Sequence, residues 1–445
     1  MRAATVPGSV SSAAMRAGWR AAPSLSARRS KPLPGRSRSP APRVAVVGAG
    51  AAGLACVDEL RRLGHDGLLT LFDREADPLY ERTTLSKDFL RGAADRAAIR
   101  RIERDELERR GVTIRFGEEV QSIEPELRRV RLRSGEAVEY DLCFAAPGAA
   151  ARRLDLPGAE LQGVATLRSA EDAEAIFDAA RDAGRCLVVG GGFIGLEASA
   201  ALAQAGVSVR LVARGAAPGD KRLGPDIAAI INKKLREIGV EVTTRAEPEA
   251  FEGEFGRLVR VRLSNGDVVE TSLALLEVGE VRRGGLIGAA EKDGAVPVGP
   301  RLGAAESLWV GGDAAARDGA RTRHWRAAEE EGRLAAAAML GRDRPAEAVP
   351  FFWTQIGVPP GPMVGLHMVG RTDPELGYVD AGDVAENDFT RWHLESGEVV
   401  GATGTGASDR TASYHLARLL LGRVPLDALR AASWQPDALF QRRST

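Results

Sequence analysis

Glycines at fixed intervals ahead of an apolar helical pattern can hold phosphate, and this chain carries the arrangement twice. In the first stretch the apolar run Val44–Val47 leads into Gly48-Ala49-Gly50-Ala51-Ala52-Gly53. Leu54, Val57, Leu60 and Leu63 then share one helical face, and Gly64 stops the helix. Leu68 to Phe72 is a second apolar run, and Asp73 stands at its end, twenty residues after Gly53. The spacing predicts a strand, a turn, a helix and a second strand. Gly48 permits the tight turn, Gly50 lets a pyrophosphate reach bare backbone, and Gly53 lets helix and strand lie close. The helix N-terminus offers free N–H groups and partial positive charge. Asp73 can accept from both ribose hydroxyls. In this register the residues point to dinucleotide binding.

The pattern returns at Cys186–Val189, an apolar strand followed by Gly190-Gly191-Gly192-Phe193-Ile194-Gly195. Leu196 to Gln204 reads as the helix, Gly206 as its stop, and Val207–Val212 as the next strand. Here Ala213-Arg214-Gly215 replaces the acid. An acid repels a ribose 2′-phosphate and an arginine attracts one, so Arg214 points to NADPH or to no strict choice. The alternative is an arginine that only solvates the sheet edge.

These motifs need a sizeable scaffold, and the bulk properties supply it. The 445 residues suggest two to three domains, and 44% are hydrophobic. Lysine plus arginine equals aspartate plus glutamate, 61 each, so no field favours nucleic acid or an anionic membrane. No apolar run is long enough to span a bilayer. Cys56, Cys143 and Cys186 are far apart and form no C-x-x-C, which argues against a disulfide scaffold, a metal site and a dithiol centre. Residues 1–42 contain arginine, serine, alanine and proline but no acid. They read as a tail outside the fold or as an organellar transit peptide.

Along the chain, Arg74 to Lys87 reads as a loop entering a helix near Ser86, with Arg82 and Lys87 in it. Residues 99–144 read as strands and a hairpin. Asp226–Ile238 is an amphipathic helix, followed by strands at Val240–Thr243 and Leu258–Leu263 with a turn at Ser264–Asp267. Leu273–Val278 is a strand closed by Gly279. Leu308–Val310 leads to Gly311-Gly312-Asp313 and an expected alanine-rich helix. In that turn the glycines give room and Asp313 could accept from a cofactor hydroxyl. His324 to Leu340 reads as a helix. From Pro350 onward alternation dominates, and Leu416–Leu421 reads as a helix packed in the core.

Together these landmarks resemble the two-dinucleotide flavoprotein superfamily of pyridine-nucleotide reductases, in particular its ferredoxin-reductase and apoptosis-inducing-factor-like branch. Leu79-Tyr80-Glu81-Arg82 with Leu85-Ser86-Lys87, the run Gly190 to Glu197, His324-Trp325 and Phe351-Phe352-Trp353-Thr354 carry the likeness. It implies an α/β fold of two Rossmann-like, three-layer dinucleotide-binding domains, the second inserted in the first, with a C-terminal α+β domain. The implied boundaries are 43–160 and 277–343 for the FAD domain, 161–276 for the NAD(P) domain and 344–445 for the last.

The resemblance also implies roles. Gly48, Gly50, Gly53, Asp73 and Arg82 would bind FAD, with Gly312-Asp313 on its ribityl-phosphate side. Gly190, Gly192 and Gly195 would hold the NAD(P)H pyrophosphate, and Gly279 would leave room for the nicotinamide. Lys87 would sit near the flavin and pair with Glu197 beside the nicotinamide. Trp325 and Trp353 would flank the isoalloxazine. Pro147 departs from the threonine usual in that branch. Gly279-Glu280-Val281-Arg282 lacks the usual following proline.

The implied activity is hydride transfer from NAD(P)H to FAD, then electrons to a ferredoxin-like [2Fe–2S] protein, by a monomer or homodimer. Tyr80 to Lys87 holds no cysteine, which disfavours disulfide chemistry. The alternatives are a nucleotide-sensing flavoprotein and a quinone reductase. The expected compartment is the cytoplasm, or a mitochondrion or plastid if residues 1–42 are a transit peptide.

Overall fold

The computed structural model describes residues 40–441 apart from 289, 292, 318–323, 345–348 and 360. The tail or transit peptide expected over 1–42 lies outside them but for 40–42.

The first sheet is built around Val44–Val47, which runs parallel to Leu69–Asp73 on one edge and Leu142–Ala145 on the other. All four residues are buried, as a strand covered on both edges and both faces requires. Val112–Phe116 extends one side, while Leu308–Val310 and then Gly303–Ala305 extend the other. Strands from before and after the second glycine-rich unit thus complete one sheet. Its core also takes in Val120, Ile123 and Val130 of a three-stranded antiparallel sheet and Leu334 of the helix Trp325–Met339, giving three layers. That helix lies tight on Ala51–Arg62: a Cβ on Gly332 would come within 2.0 Å of Ala52 O.

The second sheet is all parallel. Its order is Glu241–Thr244, Ser208–Ala213, Arg185–Val189, Ala274–Leu276, Val164–Ala165. The helix Phe193–Gln204 packs on it with Leu196, Ala198, Ala200 and Leu202 fully buried. From Phe351 onward an antiparallel sheet follows, in the order 351–356, 364–370, 398–405, 388–395, 377–383. Val369, Trp392 and Ala402 of this sheet pack with Tyr414 and Ala417 of the helix Thr411–Leu421. The fold is mixed α/β with parallel sheets, as the motifs imply.

The loop after Asp73 enters a helical turn near Ser86 as expected, a single π turn, Leu85–Phe89, which carries Lys87. Three local expectations are corrected. Within 99–144 there is a short helix, Arg104–Arg109, in which Leu107 alone is buried. After Gly312-Asp313 the chain forms a strand, Ala315–Arg317, paired with Val296–Val298. Pairing there outweighs the helix preference of alanine. Finally, Leu416, Leu419 and Leu420 are exposed. Arg418 interrupts the stretch, and Leu419, Leu420 and Leu421 in succession cannot share one helical face; here Tyr414 and Ala417 take the buried one.

Candidate functional site

Both glycine turns open into one cleft of 1050 Å³. The two turns use their glycines alike. A Cβ on Gly48 would lie 2.2 Å from Ala146 O, and one on Gly53 would lie 1.7 Å from Gly48 O. In the second turn the matching distances are 2.2 Å, from Gly190 to Glu277 O, and 2.1 Å, from Gly195 to Gly190 O. The outer glycines are therefore demanded by the protein's own backbone. The middle ones are not: a Cβ on Gly50 or Gly192 would meet nothing within 4 Å. Their φ angles, −74 and −79, suit any residue. What a side chain would fill at these two positions is cleft. Each is the N-cap of its helix, and neither helix has a side-chain cap. Bare backbone, open space and unsatisfied N–H groups together fit a diphosphate.

Asp73 closes the first unit. One carboxylate oxygen accepts from Ala49 N (2.7 Å) and the other from Glu75 N (2.9 Å). Burial pushes its carboxyl up, against the pull of those two N–H groups. Each oxygen keeps a lone pair for a ribose hydroxyl.

Between the two turns stands a polar cluster. Lys87 Nζ is 3.0 Å from Glu197 Oε2 and donates to Thr83 O at 2.7 Å. Ser86 Oγ donates to Glu197 Oε2 (2.5 Å) and Thr354 Oγ1 to Glu197 Oε1 (2.6 Å). Side-chain exposure is 13% for Lys87 and 5% for Glu197. A pair buried this far differs from a surface contact: removing one partner strands the other and costs about 3–5 kcal/mol. Lys87 Nζ also lies 5.2 Å from the Trp353 ring centroid.

The remaining expected residues fall as follows. Arg82 lines the cleft but is engaged, with Nη2 on Glu75 Oε1 (2.8 Å) and Nη1 on Tyr80 Oη (2.9 Å) and Arg168 O (3.0 Å). Asp313 Oδ2 accepts from Arg168 Nη2 at 2.7 Å, and Gly312 N donates to Glu331 Oε2 at 2.7 Å. Gly279 has φ +107 and lines the cleft. Trp325 and Trp353 also line it; Trp325 Nε1 donates to Glu329 Oε1 at 2.9 Å. Arg214 stands apart from this lining, largely exposed, with Nε 3.7 Å from Glu247 Oε2.

Sequence reasoning missed Arg168, Arg283, Glu277 and Thr354 as cleft or cluster residues. Arg74, Arg168 and Arg283 all face the cleft. Burial first, then the like charges of Arg74 and Arg168, pull the Arg283 guanidinium below its usual value. A trio of cations in this setting favours an anionic ligand. No spacing rule joins these residues; only the fold brings them together. The three cysteines are buried, and burial pushes the Cys186 thiol up to about 12 and raises those of Cys56 and Cys143. None is available as a thiolate nucleophile.

A family model described as pyridine nucleotide-disulphide oxidoreductase matches residues 42–332. The chain belongs to that family and is an FAD- and NAD(P)H-dependent oxidoreductase. It is 30% identical over 389 residues to the ferredoxin reductase subunit of a 5,5′-dehydrodivanillate O-demethylase from Sphingobium sp. (strain NBRC 103272 / SYK-6), covering 84% of this chain and 92% of the relative. It is 27% identical to human apoptosis-inducing factor 3, over 82% of this chain and 61% of that protein. Among solved structures it resembles the ferredoxin reductase for the CYP199A2 system of Rhodopseudomonas palustris, with a TM-score of 0.81 and 25% identity over 89% of this chain and 99% of the other. Among the described residues no helix is long and apolar enough to cross a membrane.

Proposed function

We propose that the chain carries electrons from NAD(P)H through FAD to a small [2Fe–2S] ferredoxin. The observation that carries this reading is the pair of bare-backbone turns, at Gly50 and Gly192, opening into one cleft with the Lys87–Glu197 pair between them. When bound, NAD(P)H supplies a hydride and FAD takes up both electrons and releases them singly. The protein supplies position and field. Gly50 would seat the FAD diphosphate on bare backbone, with Gly48 and Gly53 shaping the turn that presents it, Asp73 would hold its ribose, and Arg168, Arg283 and Arg74 would supply the surrounding positive potential. Gly192 would seat the second diphosphate, with Gly190 and Gly195 shaping its turn, and Gly279 would leave the space beside it. Lys87, held by Glu197 and Thr83 O, would present a fixed cation to the flavin and so favour its reduced, more negative form. Arg82 acts by fixing Glu75 and Tyr80 at the mouth of the first turn. Asp313, locked by Arg168, orients its turn against the ribityl side. Trp325 and Trp353 wall the ring pocket.

The ferredoxin acceptor is supported by the ferredoxin reductases this chain resembles. Burial of all three thiols disfavours a disulfide acceptor. The enzyme works as a monomer or homodimer in the cytoplasm, or in a mitochondrion or plastid if residues 1–42 are a transit peptide. The likeness to apoptosis-inducing factor 3 supports a second reading, a nucleotide sensor with slow turnover.

Steady-state reduction of a [2Fe–2S] ferredoxin with NADH and with NADPH separates the two. A reductase turns over at about 1 per second or faster, the range of ordinary enzymes. Turnover below about one per minute would favour the sensor. In the same assay Arg214→Ala should weaken NADPH about tenfold, the worth of one charge-assisted hydrogen bond, and leave NADH alone. Equal effects on both nucleotides would remove Arg214 from the site.

A further inference from the structure

The wall of the second turn holds an acid that the scheme above leaves unused. Glu277 follows the strand Ala274–Leu276, and its N–H donates to Val189 O at 2.8 Å. That puts it beside the glycine turn: a Cβ on Gly195 would lie 3.5 Å from Glu277 Cβ. Its side chain therefore starts next to the first turn of the helix Phe193–Gln204, and it lines the cleft. Oε1 accepts from Leu167 N at 3.2 Å.

The charged groups around it are Arg168, beyond Leu167; Asp172, on the helix Ala170–Ala183; and Glu197, on the helix of the turn. Each is committed elsewhere. Arg168 holds Asp313 and Ala149 O. Asp172 accepts from the N–H groups of Arg168 and Ser169. Glu197 is closed by Ser86, Lys87 and Thr354. Burial pushes the Glu277 carboxyl up to about 8, with the Leu167 N–H and Arg168 pulling down and Asp172 and Glu197 adding to the rise. At neutral pH the acid is mostly protonated and offers one O–H donor.

We propose that Glu277 is a proton-carrying contact for the second nucleotide, its neutral carboxyl donating to a nucleotide oxygen so that binding requires that proton. The inference rests on reading the second turn as the NAD(P) site. Where the free acid is ionised, binding moves one proton from solvent onto Glu277, and none leaves the nucleotide. A diphosphate brought into this cleft favours the neutral acid, so the pKa in the complex lies above the pKa in the free protein. Affinity is then flat at low pH, and it weakens about tenfold per unit as pH rises from the free value toward the bound one.

Calorimetric titration of the flavin-loaded protein with NAD⁺, in two buffers of different ionisation enthalpy, measures the proton directly. The expected uptake is near zero at about pH 7 and close to one at about pH 9, with affinity roughly tenfold weaker at the higher pH. Glu277→Gln keeps the shape and a donor; it should abolish the uptake and hold the neutral-pH affinity at both values. Its flavin spectrum reports that it is folded, and the wild-type uptake stands as a test without it. Uptake that persists in Glu277→Gln, or a wild type with no uptake and no pH dependence, overturns the role of Glu277. A wild type that binds NAD⁺ at neither pH overturns the reading of the second turn itself, and this inference with it.

Discussion

Gly50→Leu gives a folded, colourless protein, and Gly192→Leu gives a yellow one that NAD(P)H no longer bleaches. Both expectations follow from what a side chain meets there. At each position the backbone tolerates any residue and a Cβ touches nothing within 4 Å, so the protein itself has no objection. The weaker helix N-cap costs about 1 kcal/mol. The isobutyl group instead occupies the space a diphosphate needs and covers the N–H groups that would bind it. Flavin affinity in the first variant and nucleotide affinity in the second should each fall by about 100-fold or more, at least about 2.7 kcal/mol. Gly53→Ala is the contrast. Its Cβ would sit 1.7 Å from Gly48 O, so that variant loses the fold along with the flavin. Visible absorption and thermal melts of the three proteins check this. A Gly192→Leu protein reduced as fast as wild type would show that no nucleotide uses the second turn.

The second large effect is at the buried pair. Lys87→Ala should retain oxidised flavin and slow hydride transfer about 10²–10³-fold, the usual loss when one preorganised charge-stabilising group is removed. Glu197→Ala removes the acceptor of Ser86, Lys87 and Thr354 together and leaves the ammonium without its counter-charge. Its expected cost is about 3–5 kcal/mol of stability besides the loss of rate. Glu197→Gln keeps the shape and should lose less stability than Glu197→Ala. Single-turnover reduction of the bound flavin and denaturant melts separate the two effects. An unchanged rate in Lys87→Ala would show that the lysine holds the fold and nothing more.

How much of this was legible beforehand depends on what kind of signal each part leaves. The two turns were readable because their glycines, strands and helices are contiguous, and each residue's duty is set by its immediate neighbours. The parallel sheets followed from apolar runs such as Val44–Val47, buried whichever face they present. Arg168, Arg283 and Glu277 were not readable. They sit in ordinary loop and strand-end sequence and gain meaning only when the fold brings those segments to one cleft. Lys87 was reached through likeness, since a lone lysine in a loop carries no pattern. The local errors share a cause. Composition suggested a helix after Asp313 and a core-packed apolar helix at 416–421, but strand pairing replaced the first and helical geometry left three leucines of the second exposed.

The whole account requires that a nucleotide in the second cleft touch a flavin in the first. Anaerobic mixing of the purified protein with one equivalent of NADH or NADPH, followed in the flavin's visible band, tests that contact directly. The account predicts bleaching in a single phase that needs no acceptor. Flavin that dithionite bleaches and neither nucleotide does, or a protein that refuses FAD altogether, would contradict it.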